Sequence, residues 1–168
     1  MRRIKHGHLN IIFDLEMVLG YTFYMLEYKF FDHTADIGVE ISGRTKKELF
    51  ANAAYTLFDI LIESNENENK ITKGKQEQKI ITVNGEDTAD LLINFLRELL
   101  YLFNGEYWVA DKCEIMEYGN KKLAAQLMGE PYHKRKHFIK TEIKAVTYSG
   151  LSVIKKKSGW KARVIFDV

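Results

Sequence analysis

Two stretches of the sequence repeat apolar residues at the spacing of a single helix face. The first begins at Thr45, and Glu48 three residues later completes a capping-box signature, which indicates a helix start. Asp87 or Thr88 can cap the second, which extends to about Phe103. Because an amphipathic helix needs another element to cover its apolar stripe, both stretches restrict the chain to a layered fold. The stripes comprise Leu49, Phe50, Ala53, Ala54, Leu57, Phe58 and Leu61 in the first helix and Leu91, Leu92, Phe95, Leu96, Leu99, Leu100 and Phe103 in the second.

The segments that flank the two helices have the alternating apolar and polar residues of strands. Turn residues at 118–120 and 158–159 are typical of hairpins, so consecutive strands are expected to pair antiparallel. We therefore predict an α+β fold, a two-layer sandwich with a mainly antiparallel sheet packed by two helices. Residues 106–134 can form a small β subdomain within it. The expected strands cover residues 27–31, 37–41, 78–83, 112–117, 121–128, 137–148, 151–156 and 160–166.

The composition restricts the functional class. Hydrophobic residues make up 46% of the 168 residues, as in a packed protein. The single cysteine, Cys113, allows neither an internal disulfide nor a cysteine zinc site. Scarce cysteine is typical of a reducing compartment, and we predict a cytoplasmic protein. The formal net charge of +2 argues against a general nucleic-acid coat protein, which needs a dense positive field.

Residues 1–24 differ from the remainder of the chain. Basic residues precede an apolar stretch there, as in a signal peptide, but Asp14 and Glu16 interrupt that stretch. Its uninterrupted run is too short for a transmembrane helix. The segment is either an added element that packs on the domain or a mis-assigned extension upstream of a true start at Met25. We therefore divide the chain into an N-terminal extension and a domain at residues 25–168.

The polar turn before the second strand contains a first candidate site. Asp32 and Asp36 are four residues apart with His33 between them, and carboxylates so placed can bind a hard cation through their oxygen atoms. The alternative is an Asx-turn, in which Asp32 accepts hydrogen bonds from nearby backbone N–H groups and His33 fills space. The spacing matches neither a calcium loop nor a zinc motif.

Two further candidates lie near the end of the sequence. Asp167 precedes the last residue, Val168, so their two carboxylates repel each other unless a cation neutralises them. Solvation of an exposed chain end is the alternative. Lys144 can contact a phosphate or a carboxylate, although most strand lysines are simply solvated. Strand parity puts Asp36, Lys144 and Asp167 on polar faces or strand ends, but it does not show that they meet.

Basic residues cluster in two predicted turns. The run at residues 133–137 can contact RNA phosphates or form a solvated loop. The run Lys155–Lys157 is interpreted as solvation of a hairpin turn. The sequence contains no P-loop, dinucleotide fingerprint, nucleophile elbow or zinc ligand set.

Three strings of residues resemble signatures of the archease family. The run from Tyr28 to Gly38, which contains the string Asp-His-Thr-Ala-Asp, is similar to the N-terminal signature of that family. Residues 143–148 (Ile-Lys-Ala-Val-Thr-Tyr) resemble its second signature, and residues 164–168 (Val-Ile-Phe-Asp-Val) resemble its ending. The order and spacing of the three strings also agree. The similarity covers about residues 25–168.

The resemblance implies a function that composition does not show. Archeases are small α+β proteins that assist the RtcB-type tRNA-splicing ligase. That ligase joins RNA ends that carry a 2′,3′-cyclic phosphate or 3′-phosphate to a 5′-hydroxyl, with GTP, a divalent metal and a guanylyl-histidine on the ligase itself. An archease promotes this guanylylation and multiple turnover. The chain is therefore expected to be an activator in tRNA splicing and not an enzyme.

The resemblance also implies roles for individual residues. By position, Asp36 and Asp167 match the metal-binding acids of the family, and Lys144 matches its functional lysine. The terminal carboxylate of Val168 is a further expected ligand, and His33 has a supporting role. The expected cofactor is a divalent cation, Ca²⁺, Mg²⁺ or Mn²⁺, and GTP belongs to the ligase. The expected partners are the ligase and, through contact, tRNA, with no membrane.

Two other classes of function remain open. Two Asp residues and a Lys around a metal also suit a metal-dependent nuclease or phosphohydrolase. Alternatively, the chain is a chaperone in tRNA processing that binds tRNA through residues 131–137.

Overall fold

The computed structural model describes residues 28–33, 35–64 and 76–168. The strands are β1 (Tyr28–Phe31), β2 (Ile37–Gly43), β3 (Ile62–Ser64), β4 (Glu77–Asn84), β5 (Trp108–Tyr118), β6 (Lys122–Pro131), β7 (His137–Ile139), β8 (Ala145–Lys156) and β9 (Gly159–Asp167), and the helices are α1 (Lys46–Leu61) and α2 (Thr88–Asn104). The expectations for residues 1–24 lie outside the described ranges.

The strands form one four-stranded sheet, one three-stranded sheet and one short two-stranded sheet. The four-stranded sheet has the order β1-β2-β9-β8, the three-stranded sheet β4-β6-β5, and the short sheet pairs β3 with β7. All strand pairs in the described part of the chain are antiparallel. The predicted α+β class, with two helices and mainly antiparallel sheet, is confirmed. Because β2 and β9 occupy the middle of the larger sheet, their termini define its two ends.

The helices lie between the two larger sheets. Helix α1 packs against β2 and β5, and helix α2 packs against β8 and β4, so each contacts both sheets. Each helix therefore packs against strands of both larger sheets. For α1 this agrees with the burial of Ala51, Asn52 and Thr56 in addition to the predicted stripe. A helix that is buried on nearly every side needs a packing partner on more than one of them.

The capping residues predicted for both helices are confirmed. The hydroxyl oxygen of Thr45 accepts a hydrogen bond from the backbone N–H of Glu48 at 3.1 Å. The carboxylate of Asp87 accepts from the backbone N–H groups of Ala89 and Asp90 at 2.8 and 2.9 Å. These caps satisfy N–H groups that the first helical turns cannot bond internally. Neither of these helices, within the residues described, is long and apolar enough to cross a bilayer.

Residues 106–134, considered above as a small subdomain, form the β5–β6 hairpin. This hairpin pairs through β6 with β4, which lies outside the range. Its inward residues, among them Cys113, Leu123 and Leu127, belong to the same buried cluster as the helix residues. The hairpin is therefore part of the main core. Burial in that core also raises the pKa of the Cys113 thiol to about 12.

Candidate metal site

The pairing of β2 with β9 brings two aspartates to the same end of the four-stranded sheet. Ile37 lies opposite Phe166 in this antiparallel pair. Asp36 directly precedes Ile37 and Asp167 directly follows Phe166, so both aspartates lie at the same end of this strand pair. Both aspartates are half-buried. We call this end, with Asp36, Asp167, Lys144 and Val168, the acidic end.

Lys144, which directly precedes β8, also lies at the acidic end. Ala145 lies opposite Asp167, and the backbone N–H of Lys144 donates to the carbonyl of Asp167 at 2.8 Å. The ammonium Nζ of Lys144 donates to the main-chain oxygen of Val168 at 3.1 Å. The structure therefore brings together Lys144, Asp167 and Val168, which strand parity could not do. An ammonium there offsets part of the repulsion between neighbouring carboxylates.

The turn before Asp36 has a left-handed residue in its centre. Ala35 has φ = 66°, a conformation that is uncommon for residues other than glycine. His33 Nδ1 lies 3.1 Å from Asp36 Oδ2, three residues along the chain. At this distance the ring nitrogen of His33 can restrict the orientation of the Asp36 carboxylate. Asp32 and His33 are both exposed.

Gly38 and Phe31 hold this turn against the sheet. They lie opposite each other in the β1–β2 pair, and a Cβ atom on Gly38 would stand 2.4 Å from Cε2 of the Phe31 ring. The ring therefore occupies the space that a side chain on Gly38 would need. The guanidinium carbon of Arg163 lies 4.1 Å from the centre of the same ring, within cation–π range. This packing gives a physical reason for a glycine two residues after Asp36.

Helix α2 supports the strand that carries Lys144. The side-chain amide of Asn104 donates to the carbonyl of Ile143 at 3.1 Å. The guanidinium of Arg97 donates twice to the carbonyl of Val146, at 3.2 Å each. Both carbonyls lie within two residues of Lys144, so these bonds fix the main chain on either side of it. Neither Arg97 nor Asn104 was predicted as a functional residue from the sequence.

The polar residues on α2 carry a signal that could have identified this support. Asp90, Arg97 and Asn104 are each seven residues apart and therefore share one face of the helix. The hydroxyl of Tyr148 donates to Asp90 Oδ1 at 2.5 Å, and the Tyr148 ring centre lies 4.8 Å from the Arg97 guanidinium carbon. The hydrogen bond lowers the pKa of the Asp90 carboxyl and raises the pKa of the Tyr148 hydroxyl.

The acidic end offers only hard oxygen donors. These are the carboxylates of Asp36 and Asp167 and the main-chain oxygen of Val168. Within residues 28–33, 35–64 and 76–168, no group of three His, Cys, Asp or Glu side chains is placed to hold a metal ion. Within the described residues, the main-chain oxygen of Val168 is a third oxygen donor at this end. A donor set of carboxylate and carbonyl oxygens suits Ca²⁺, Mg²⁺ or Mn²⁺ and not a thiolate-seeking metal.

The basic run at residues 133–137 lies apart from this arrangement and is partly directed inwards. His137 is 2% exposed, and its Nε2 lies 3.3 Å from the buried carboxylate of Glu130. The ammonium of Lys136 pairs with the same carboxylate. Burial lowers the pKa of His137, and the Glu130 charge partly opposes this shift. Two of the basic residues in this run therefore satisfy an internal acid, while Lys134 and Arg135 remain exposed.

The fold and the acidic end together define a small α+β protein with a carboxylate-rich sheet terminus. Residues 28–168 match the model of the Archease protein family (MTH1598/TM1083). The chain belongs to the archease family.

Individual relatives agree with this assignment. The chain is 36% identical over 146 residues to Protein archease of Methanosarcina barkeri, covering 84% of this chain and 96% of the relative. It is 34% identical over 149 residues to Protein archease-like of Drosophila melanogaster, covering 85% and 91%. The solution structure of Methanobacterium thermoautotrophicum protein 1598 matches with a TM-score of 0.63 and 31% identity, covering 86% of this chain and all of that one.

Proposed function

We propose that this archease-family chain activates an RtcB-type tRNA-splicing ligase and promotes its GTP-dependent guanylylation and turnover. The observation that supports the proposal is the pairing of β2 with β9, which brings Asp36 and Asp167 to the end of the sheet where Lys144 bonds to Val168. The chain acts as an accessory protein, and the ligase performs the phosphoryl chemistry. The proposal includes a cytoplasmic location and contact with tRNA through the ligase complex.

Asp36, Asp167 and the main-chain oxygen of Val168 would hold the divalent cation. Such a cation neutralises phosphate charge and fixes the position of a nucleotide for in-line transfer. The chain itself supplies the orientation of the ligands. His33 restrains the Asp36 carboxylate, the Lys144 ammonium bonds to the Val168 oxygen, and the strand pairing sets their separation.

The first experiment measures guanylylation of the purified ligase with GTP and the wild-type chain or its variants. Asp36→Asn and Asp167→Asn each remove one carboxylate charge at nearly constant shape. We expect both to abolish stimulation, because loss of a single metal-ligand interaction lowers metal affinity by about tenfold or more. The matched control is Asp111→Asn, which makes the same change at an exposed position of β5. Full stimulation by folded Asp36→Asn would refute the proposal.

The second experiment measures metal binding without the ligase. Addition of Ca²⁺, Mg²⁺ or Mn²⁺ at about a hundredfold excess over the dissociation constant stabilises a native state by about 2.7 kcal/mol. For a chain of this size that corresponds to a rise of about 5–10 °C in the unfolding temperature. Wild-type and Asp111→Asn protein should show the rise, and Asp36→Asn should not. An equal rise in the unfolding temperature of all three proteins would show that the metal binds at another site.

A third measurement separates the activator from a metal-dependent hydrolase. Labelled RNA is incubated with the chain and Mg²⁺ or Mn²⁺ in the absence of ligase. The activator role predicts no cleavage above buffer. Cleavage that is lost in Asp36→Asn would assign the site to hydrolysis instead.

A further inference from the structure

Three segments with many basic residues meet at the opposite end of the four-stranded sheet. They are residues 44–47 at the start of α1, residues 118–122 in the β5–β6 turn, and residues 155–161 in the β8–β9 turn. We call these segments together the basic end. Gly159 approaches the end of β2 so closely that a Cβ atom on it would stand 2.4 Å from the carbonyl oxygen of Gly43. The β8–β9 turn is therefore packed directly against the start of α1.

Lys46 connects the three segments. Its ammonium lies 4.5 Å from the ring centre of Trp160 in the β8–β9 turn and 5.3 Å from that of Tyr118 in the β5–β6 turn. It also donates to the hydroxyl oxygen of Thr88 at 3.0 Å. Lys47 donates to the carbonyl of Met116 at 2.9 Å, which ties the same helix turn to β5. These contacts make the basic end one continuous surface.

Some of the basic charge at this end is neutralised locally. Arg44 pairs with Glu48 at 3.1 Å, and Lys121 pairs with Glu86 at 2.7 Å. Lys122 lies 3.5 Å from Glu117. The helix N-termini are closed by their own caps, so they do not contribute free anion-binding groups.

The lysines of the β8–β9 turn are different. Lys155, Lys156 and Lys157 are exposed, and among the described residues no carboxylate lies within ion-pair distance of them. Lys155 lies opposite Trp160, the residue whose ring the half-buried Lys46 contacts. A surface of this kind concentrates anions. The formal net charge of the whole chain is only +2, because acidic residues elsewhere offset these lysines. The net charge therefore does not reveal this basic surface.

We propose that the basic end binds the phosphate backbone of a nucleic acid. Lysine is depleted in protein–protein interfaces, whereas it is a common donor to phosphate oxygens in nucleic-acid complexes. Flexible ammonium groups on three chain segments suit the regularly repeated phosphates of a nucleic acid. They are less suited to a single acidic pocket of fixed shape on a protein. This inference rests on the charge distribution and does not depend on the ligase.

The test uses fluorescence anisotropy of the full chain with labelled RNA and DNA, single-stranded and duplex, over a range of salt concentrations. Lys155→Gln/Lys157→Gln removes two charges from the basic end. The control, Lys134→Gln/Arg135→Gln, removes two charges from the other exposed basic run, so the formal net charge of +2 falls equally in both variants. The difference between them therefore reports the local surface.

We expect the basic-end variant to weaken binding about three- to tenfold and to lower the slope of log affinity against log salt by about 1.5. The control should retain the wild-type slope. A preference between RNA and DNA would identify the natural source of the phosphate backbone. Three results would overturn the proposal: no binding to any probe at low salt, an equal or larger loss in the control, or equally effective competition by polyglutamate of matched charge.

Discussion

The acidic end and the basic end lie at opposite termini of the same two strands, yet they are built in different ways. The acidic end depends on strand register, a left-handed turn residue and hydrogen bonds from α2 to the main chain around Lys144. The basic end consists of turns and a helix start, with flexible lysines as its charged groups. The first is suited to hold one small ion at a defined position. The second is suited to a long polyanion, whose binding depends mainly on the number of positive charges and little on their exact positions.

Replacement of a glycine by alanine should reduce stability more at the acidic end than at the basic end. Gly38→Ala should destabilise the protein by about 1–3 kcal/mol, because its Cβ atom would displace the Phe31 ring from the strand and from Arg163. Gly119→Ala in the β5–β6 turn is the matched change. Its Cβ atom would meet only the carbonyl oxygen of Lys122 at 3.6 Å, an ordinary contact, so we expect a loss below about 0.5 kcal/mol.

Urea unfolding of both variants measures these free energies. Equal losses would show that the acidic end is no more tightly packed than the basic turn. A lost metal response in Gly38→Ala, with the fold retained, would further show that the Phe31 ring positions the turn that carries Asp36.

The second prediction compares an aspartate at each end of the sheet. Asp87→Ala near the basic end should cost about 1 kcal/mol, because two backbone N–H groups of α2 lose their acceptor. Asp36→Asn should cost less than about 1 kcal/mol, because its pair with His33 is partly exposed and weak in water. The acid near the basic end therefore maintains the fold, whereas the acid at the acidic end is available for function.

Chemical denaturation and the guanylylation assay separate the two aspartates when they are performed on the same preparations. Asp87→Ala should keep its stimulation at temperatures where it is folded, and Asp36→Asn should keep its stability. If Asp36→Asn were destabilised and still stimulated guanylylation, the proposed difference between a structural Asp87 and a functional Asp36 would be wrong.

His137, which lies outside both ends, should make the free energy of unfolding depend on pH. The pKa of buried His137 is lowered, so the native state binds a proton there less readily than the unfolded chain does. The contribution to stability is complete above the unfolded pKa of about 6.5 and is lost as the pH falls towards the native pKa. We therefore expect the free energy of unfolding to decrease as the pH falls below about 6.5.

His137→Gln removes the titrating group while an amide can still bond to Glu130. Urea titrations at several pH values should show a flatter profile for this variant than for wild type below pH of about 6.5. An unchanged profile would show that His137 is not the source of the pH response.

Much of the fold could be predicted from local sequence. The caps Thr45 and Asp87 and both apolar stripes lie where the pattern placed them, because capping and helical periodicity are local properties. The contacts of each helix with both larger sheets could not be predicted, because the burial of Asn52 and Thr56 depends on which elements surround α1. The support from Arg97 and Asn104 was likewise missed, since their partners are main-chain carbonyls about 40–50 residues away.

The sequence alone determined the residue types available for chemistry: two aspartates and a lysine in signature-like strings, a lysine run in a turn, and one cysteine. Only the tertiary structure decided which of them are neighbours. Asp36 and Asp167 come to the same end of the sheet because β2 and β9 pair antiparallel in one register, and a shift of one residue would turn every side chain of a strand to the other face. The tertiary structure likewise decided the neighbours of the β8–β9 turn, which contains the lysines of residues 155–157. This turn packs against Gly43 and Lys46. Such neighbourhoods depend on long-range packing, and local patterns in the chain do not contain them.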